Sequence, residues 1–561
     1  LTELVEAQVV VIGAGSAGIT FALQVADQGV RVDLFTKERE AFEYPESSSS
    51  VLLAGGYAAV PFENGIPSTA DSIETHVQDT LAVGGKLNSE RAVRHFIKGF
   101  PHVISWLEEK GIRFDSDLHS EGSHSASRVY HVSDRTGQTV MAKLGQLANA
   151  HPNISVHPNH MAIDLITSKK ADRGRERVDT CLGSYILDMD SNSVKTVVAD
   201  AVVVATGGLG KVFMYTTNPD TASGDGFAMC YRVGLPLVNM EFVQFHPTVH
   251  YDPTASEESE RRVLFTEALR GAGAFLKLDR NDTEDFVLRY DPRGSRASRD
   301  VVTRAEDLEM KRRGLEFVWL DCTVIDPDQL RTGFQTFYDF CISKGVDPTQ
   351  EPVPVVYAAH YANGGVLVNL DGETIYPDGS GIENLYVVGE TAYTGLHGAT
   401  RLASNSGPEA IAMSLSAAAR FLSHRSSVGE SRKVPFWNPG SATASEERER
   451  LEEYWDGIRR IMTKKCGVAR DADSLKAALT DMSNYKSQLN QYYWGYFLER
   501  DTLEVRNIQD VSEVILSCAF FRQETRACHA RTDYPKTKPE YEACTVIKKE
   551  QEPYLMPAQQ M

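Results

Sequence analysis

Residues 8–12, Gln-Val-Val-Val-Ile, form an apolar, β-branched run that ends on Gly13-Ala14-Gly15-Ser16-Ala17-Gly18. Ile19 to Gly29 then read as a helix, and Val30 to Phe35 as a second strand. A G-x-G-x-x-G segment on its own is a common glycine-rich turn. Placed between a strand and a helix, with a second strand after it, it marks a parallel α/β unit that binds a dinucleotide. Gly13, Gly15 and Gly18 let backbone approach a pyrophosphate, and the helix start at Ser16 offers free N–H groups and partial positive charge. The second strand ends in Phe35-Thr36-Lys37, with a hydroxyl and an ammonium where an acid usually meets a ribose.

Two later segments return chain to the same site. Residues 199–208 form an apolar strand ending in Ala205-Thr206-Gly207-Gly208, and Asn384 to Gly389 form another that ends at Glu390. An extended FAD asks for such returns, whereas NAD needs only the first unit. With 561 residues the chain suits two to four domains. Its 77 acidic against 58 basic residues give a net charge of −19, which argues against a surface built to neutralise nucleic-acid phosphates while leaving room for a local basic site. No run of roughly 20 apolar residues predicts a membrane span, and the opening LTELVEA offers no signal-peptide core. Eight scattered cysteines without a C-x-x-C pair argue for reduced thiols in the cytoplasm and against a structural metal centre; no metal site is expected.

Further motifs carry a resemblance. Ser48-Ser49-Ser50 precedes Gly55-Gly56-Tyr57-Ala58-Ala59; Asp71 to His76 reads DSIETH; Glu121-Gly122-Ser123-His124-Ser125, Phe245-His246-Pro247-Thr248, Thr266-Glu267-Ala268-Leu269-Arg270-Gly271 and Ser298-Arg299-Asp300 follow. Residues 389–406 read GETAYTGLHGATRLASNS, and Cys528-His529-Ala530-Arg531 comes late. From about residue 8 to about residue 535 the chain resembles the flavoprotein family of succinate dehydrogenase, fumarate reductase and L-aspartate oxidase, with Glu121, the 389–406 block and Cys528 pointing to the aspartate oxidase branch.

The resemblance implies an α/β, Rossmann-like FAD-binding domain that is discontinuous, 1–238 and 353–422, with an α+β capping domain inserted at 239–352. Residues 425–446, rich in Ser, Gly, Pro and charge, read as a linker. Beyond them Leu451, Tyr454, Trp455, Ile458, Ile461 and Met462 recur at helical spacing, as do Val505, Ile508, Ile515, Cys518 and Ala519, so a helical domain is expected over 446–535 and a poorly ordered tail over 536–561.

The activity implied is FAD-dependent oxidation of L-aspartate to iminoaspartate by hydride transfer from Cα to flavin N5, with oxygen, giving peroxide, or fumarate as acceptor. A soluble fumarate reductase, or an oxidase of another amino acid, is the alternative. Arg299, Arg401, His246 and His360 are the expected donors to two substrate carboxylates, since arginine's planar fork suits a carboxylate. Glu121 would meet the α-ammonium, and Thr266 ranks above Glu267 and Arg270 as a direct contact. His246, His360 and a water at Glu121 are each candidates for the base. FAD would be held by Gly13, Gly15, Ser16, Gly18, Thr36, Lys37, Ser49, Gly55, Gly56, Ala205, Thr206, Gly207, Asp225, Glu390, Ser404 and Ser406. Ser47 to Leu53 contains no histidine of the kind that tethers FAD in respiratory relatives, so noncovalent binding is expected. A quinolinate synthase partner and a role in NAD biosynthesis follow from the resemblance alone; no nucleic acid or membrane is expected, and the chain should be a monomer or homodimer. Four departures from the family pattern, Ala54, Asn363, Thr400 and Pro408, are expected around the flavin ring.

Overall fold

The computed structural model describes residues 3–40, 48–53, 55–63, 66–67, 71–171, 179–252, 263–424, 434–444 and 448–560. Strand Glu3–Ile12 lies inside an eight-stranded sheet, parallel to Val32–Phe35 on one side and to Ser193–Val204 on the other. Ile154–His157 extends the sheet beyond Val32–Phe35, and Leu385–Val387 pairs in parallel with Ser193–Val204. Val9, Val10 and Val11 are all fully buried, as a strand of a parallel sheet must be when both faces are covered.

The register decides where a ligand can go. Ile12 stands level with Phe35 and Val204, and Val204 with Val387. Gly13, Thr36, Ala205 and Val388 therefore leave the sheet at one carboxyl edge, the edge that open α/β sheets use for ligands. Helix Ser16–Ala26 packs against helix Ser406–His424, which brings the first and the last of these segments together. Pro408, in the first turn of the later helix, leaves it intact.

A four-stranded antiparallel sheet runs Val243–His250, Val353–Ala362, Val318–Asp321, Phe275–Lys277. Strand Val353–Ala362 is an inner member, so a division at 352/353 cuts a sheet in two. Helices Arg448–Cys466, Ala472–Gly495 and Arg500–Phe521 pack together. Leu451, Tyr454, Ile458 and Met462 are buried there, and so are Val505, Ile508, Ile515, Cys518 and Ala519; Trp455 and Ile461 are partly covered.

The stretch 536–561 is not a loose tail. Strand Cys544–Ile547 pairs with Leu237–Val238, and Tyr554–Met556 pairs in turn with Cys544–Ile547, completing a five-stranded sheet in which Cys544, Thr545 and Val546 are fully buried. Four apolar or β-branched residues between charged neighbours are too short a signal to read, but a waiting sheet edge needs no more. Of the expected linker, 425–433 and 445–446 lie outside the described residues. All eight cysteines are buried, and none forms a disulfide. Among the described residues no helix is long and apolar enough to cross a membrane.

Candidate active site

A cleft of about 1220 Å³ runs from the carboxyl edge of the large sheet to the four-stranded sheet, above the roughly 300–1,000 Å³ of a single small-molecule site. At its dinucleotide end the glycines divide their roles. A Cβ on Gly13, whose φ is +111°, would lie 2.2 Å from Ala205 O, and one on Gly18 would lie 2.0 Å from Gly13 O. These two glycines let backbone pack on backbone, and Gly18 does so without lining the cleft. Gly15 faces the cleft, and a Cβ there would meet only Ser50 Oγ at 3.4 Å. Gly15 is also the N-cap of helix Ser16–Ala26 and contributes no side-chain cap, so beyond Ser16 the N–H groups of Ala17 and Gly18 are left for a ligand. Ser50 Oγ accepts from Ser16 N at 3.1 Å, tying the 48–53 segment to this turn.

Thr36, Ser49, Gly55, Gly56, Ala205, Thr206, Gly207, Ser404 and Ser406 also line the cleft. Glu390 stands at the wall with Oε1 accepting from Ala362 N at 3.0 Å, and burial pushes its carboxyl up to about 7. Lys37 and Asp225 reach the cleft too, but their charges face each other at 2.8 Å, and Lys37 Nζ also donates to Glu504 at 2.7 Å. They join the sheet to helix Arg500–Phe521 and offer the ligand no unspent charge. The open helix end, the glycine cradle and a carboxylate across it fit FAD.

At the other end, four distant segments converge. Arg401, 9% exposed, donates through Nη1 to Ser406 Oγ at 3.0 Å and through Nη2 to Gln244 Oε1 at 3.3 Å and His360 Nε2 at 3.2 Å. Its guanidinium lies 4.6 Å over the Tyr361 ring, and its Nε has no hydrogen-bond partner. Since His360 Nε2 accepts, Nδ1 carries the proton and donates to Thr217 Oγ1 at 2.8 Å. Burial and then Arg401 hold this imidazole well below its ordinary range. His246, 1% exposed, accepts from Thr248 N through Nδ1 at 3.3 Å, so Nε2 carries its proton, and that atom has no partner. Burial, then Arg299, keeps it neutral as well.

Arg299 begins helix Arg299–Arg313 and donates through Nε to Glu267 Oε2 at 2.7 Å; Arg270, 1% exposed, lies 3.2 Å from Glu267 Oε1. Burial alone would raise the Glu267 carboxyl, but the two guanidiniums hold it below the usual range. Glu267 is thus a bridge between arginines, while Thr266 stands exposed on the cleft. Glu121 accepts from Ser404 Oγ at 2.6 Å, and a Cβ on Gly55 would lie 2.5 Å from its Oε1. Ser404 holds a left-handed φ of +59° to make this contact, a conformation that a non-glycine residue adopts only when its surroundings fix it.

The loop that carries Glu121 is anchored by groups that sequence reading missed. Arg128, fully buried, takes both oxygens of Asp71 at 2.7 Å and Asp79 at 2.6 Å; it also donates to His124 Nδ1 at 3.1 Å, and His124 Nε2 donates to Ala403 O at 2.9 Å. Gln244 and Thr217 were likewise missed: each orients a site residue through a bond that only the tertiary fold creates. The departures expected at the ring sit elsewhere. Neither Asn363 nor Thr400 lines the cleft; Thr400 Oγ1 accepts from Cys528 Sγ at 3.1 Å, and Asn363 donates to Phe242 O at 2.9 Å. They pack behind Arg401, with Gln244 Nε2 donating to Thr400 Oγ1 at 2.9 Å. Ala54 lies outside the described residues.

Comparison with known proteins agrees with this geometry. Residues 8–406 match the family model described as FAD binding domain, and 456–556 that described as Fumarate reductase flavoprotein C-term. The chain is 40% identical over 539 residues to L-aspartate oxidase 1 of Ralstonia nicotianae, covering 95% of this chain and 96% of that protein. It is 39% identical to L-aspartate oxidase of Pseudomonas aeruginosa, at 95% and 96% coverage. Among solved structures, a Mycobacterium smegmatis Sdh1 complex in the apo form is similar with a TM-score of 0.81 and 26% identity, over 100% of this chain and 95% of that one.

Proposed function

The chain belongs to the L-aspartate oxidase branch of the succinate dehydrogenase and fumarate reductase flavoproteins, and from that premise we propose how its residues oxidise L-aspartate to iminoaspartate. FAD is the cofactor, held noncovalently by Gly13, Gly15, the helix start at Ser16 and Glu390; when bound it supplies the hydride acceptor, with oxygen or fumarate as the final oxidant.

The observation that carries the substrate reading is Arg401, a buried guanidinium whose hydrogen-bond partners are all neutral. A buried cation left without a counter-charge is costly, and a substrate carboxylate provides the missing charge with geometry that a planar fork favours. His246 Nε2–H, unpartnered and buried, donates to a second carboxylate together with Thr266. Arg299, its Nε spent on Glu267, keeps its Nη groups for the same anion. Glu121 takes the α-ammonium through the oxygen that Ser404 leaves free. Both imidazole lone pairs are already taken, that of His246 by Thr248 N and that of His360 by Arg401, so the ammonium proton leaves to a water at Glu121, and Cα–H is left aimed at the cofactor edge of the cleft. When fumarate is reduced, Arg299 returns the proton.

The finer architecture belongs to the same reading: a discontinuous Rossmann-like domain, a cap whose sheet includes Val353–Ala362, and a C-terminal helical domain whose last strands join the first domain. Iminoaspartate hydrolyses in water, so an enzyme such as quinolinate synthase that consumes it at once, in the cytoplasm, completes the proposal.

The test is an anaerobic titration of the yellow protein with L-aspartate, D-aspartate, succinate and other L-amino acids. L-aspartate bleaches the flavin and D-aspartate does not; bleaching by a different amino acid alone would overturn the assignment of Glu121 and Arg401.

A further inference from the structure

Residues 115–119 fold back on 129–131 beside the cleft. His119 bridges to Val129, Asp115 N donates to His131 O at 2.9 Å, and a bend at 116–117 turns Asp117 toward the same side. Three side chains from this small ribbon converge. Asp117 Oδ2 lies 3.6 Å from His119 Nε2 and 3.7 Å from His131 Nε2, and the two imidazoles stack with centroids 3.5 Å apart. All three ligand atoms lie within 4.8 Å of one another.

His131 makes this more than a surface cluster. It is 3% exposed, and neither ring nitrogen has a hydrogen-bond partner. Burying a polar group unsatisfied is unfavourable, and an ion at Nε2 would satisfy it; the rings stack as they stand, so the exposed His119 must turn out of the stack for both in-plane lone pairs to face one ion. The carboxylate-to-imidazole separations are too long for hydrogen bonds. They stand within a few tenths of an ångström of the ~3.3 Å edge of a tetrahedron built on metal–ligand bonds of about 2.0 Å. Behind His131, Asp115 Oδ2 lies 3.3 Å from Nδ1 and accepts from Ser133 N at 2.7 Å. Asp115 is thus close enough to orient the imidazole with Nε2 toward an ion, although it makes no hydrogen bond to Nδ1 as the ring stands.

We propose that Asp117, His119 and His131 bind one divalent transition-metal ion of the zinc class, with water completing the coordination. Two imidazoles and one carboxylate suit zinc and its neighbours rather than magnesium or calcium. The ion would lie at the mouth of the cleft, which Leu118, His119 and Ser120 line, and would clamp the two sides of the ribbon whose turn carries Glu121. The expectation drawn from the cysteines, that there is no metal site, missed this one because its ligands contain no cysteine and stand 2 and 12 residues apart, a spacing that only the fold makes meaningful.

The experiment is calorimetric titration of the FAD-loaded, chelator-dialysed protein with zinc chloride, with elemental analysis after gel filtration. Wild type is expected to retain one zinc per chain that magnesium in excess does not displace. Asp117→Asn and His119→Asn, both at exposed positions, are expected to fold normally and to weaken binding by at least about tenfold. Absence of zinc uptake by wild type, unchanged affinity in both variants, or displacement by magnesium would each overturn the proposal.

Discussion

The two ends of the cleft hold their ligands by opposite means. At the dinucleotide end the charges of Lys37, Asp225 and Glu504 face one another, and what is left for a ligand is backbone, brought close by Gly13 and Gly15, with the Glu390 carboxyl across it. At the substrate end the backbone is covered and charge is left unbalanced, with Arg401 bonded only to neutral groups and His246 holding an unpartnered Nε2. The lesson is that a large, polyvalent cofactor is bound by shape, whereas a small dianion is bound by a charge deficit that the fold maintains. Each end therefore has its own way to fail.

The largest effect is expected from Gly13→Ala. Its Cβ would meet a backbone oxygen at 2.2 Å in a φ of +111°, so the strand-to-helix turn must open and the cradle is lost. The variant should purify without flavin, measured as flavin absorbance per protein, and without activity. Gly15→Ala sharpens the point: its Cβ meets only Ser50 Oγ at 3.4 Å, so the fold and melting temperature should be kept while FAD affinity falls.

Next comes Arg401→Gln, which removes the unbalanced charge and leaves the cradle untouched. Losing one partner of a buried charge pair costs about 3–5 kcal/mol, so kcat/KM for L-aspartate should fall by roughly 10²–10⁴ with flavin content unchanged. A variant that lost flavin in step with activity would break the division between the two ends.

This division also explains what could be read from the chain. The dinucleotide end is local: Gly13, Gly15 and Gly18 sit in one turn between a strand and a helix, and the physics that demands them is written in consecutive residues. The substrate end is assembled from residues up to 280 positions apart, so Arg299, Arg401, His246 and His360 were identifiable only through resemblance. Gln244, Thr217 and the Asp71–Arg128–Asp79 anchor were not identifiable, because their roles are contacts and not patterns. Asn363 and Thr400 show the converse: residues adjacent in sequence to the site turned out to pack on Phe242 and Cys528 behind it. Lys37 and Asp225 line the cleft where a cofactor contact was expected, yet their charges are spent on each other, a pairing across 188 positions that the sequence does not disclose.

A smaller effect is expected from Glu121→Gln, which separates the two functions of the substrate end itself. The amide oxygen can still accept from Ser404 Oγ, so the loop should keep its place, but the charge facing the ammonium is gone. A hydrogen bond to a charged group contributes about 1.5–3 kcal/mol, so kcat/KM for L-aspartate should drop by roughly 10–100-fold. Fumarate, which has no ammonium, should be reduced at the wild-type rate, and steady-state kinetics with both substrates read the difference. Equal losses for both would mean that Glu121 only holds the loop.

The smallest effect is one of acidity. His246 and His360 are kept neutral in the fold, first by burial and then by arginine, while in the unfolded chain they titrate near 6.5. Between those two values the unfolded chain binds protons that the folded chain refuses, so their contribution to stability is present above about pH 6.5 and is lost as the pH falls. One unit below that point the loss is on the order of 1.4 kcal/mol for each fully buried imidazole. Calorimetric melting of the FAD-loaded protein should therefore show a drop of a few degrees from pH 7.5 to pH 5.5. Succinate should shrink that drop, because two carboxylates beside the imidazoles favour their charged form and raise their pKa toward the unfolded value. If succinate left the slope unchanged, the histidines would lie outside the anion's reach, and the charge deficit at this end would rest on the arginines alone.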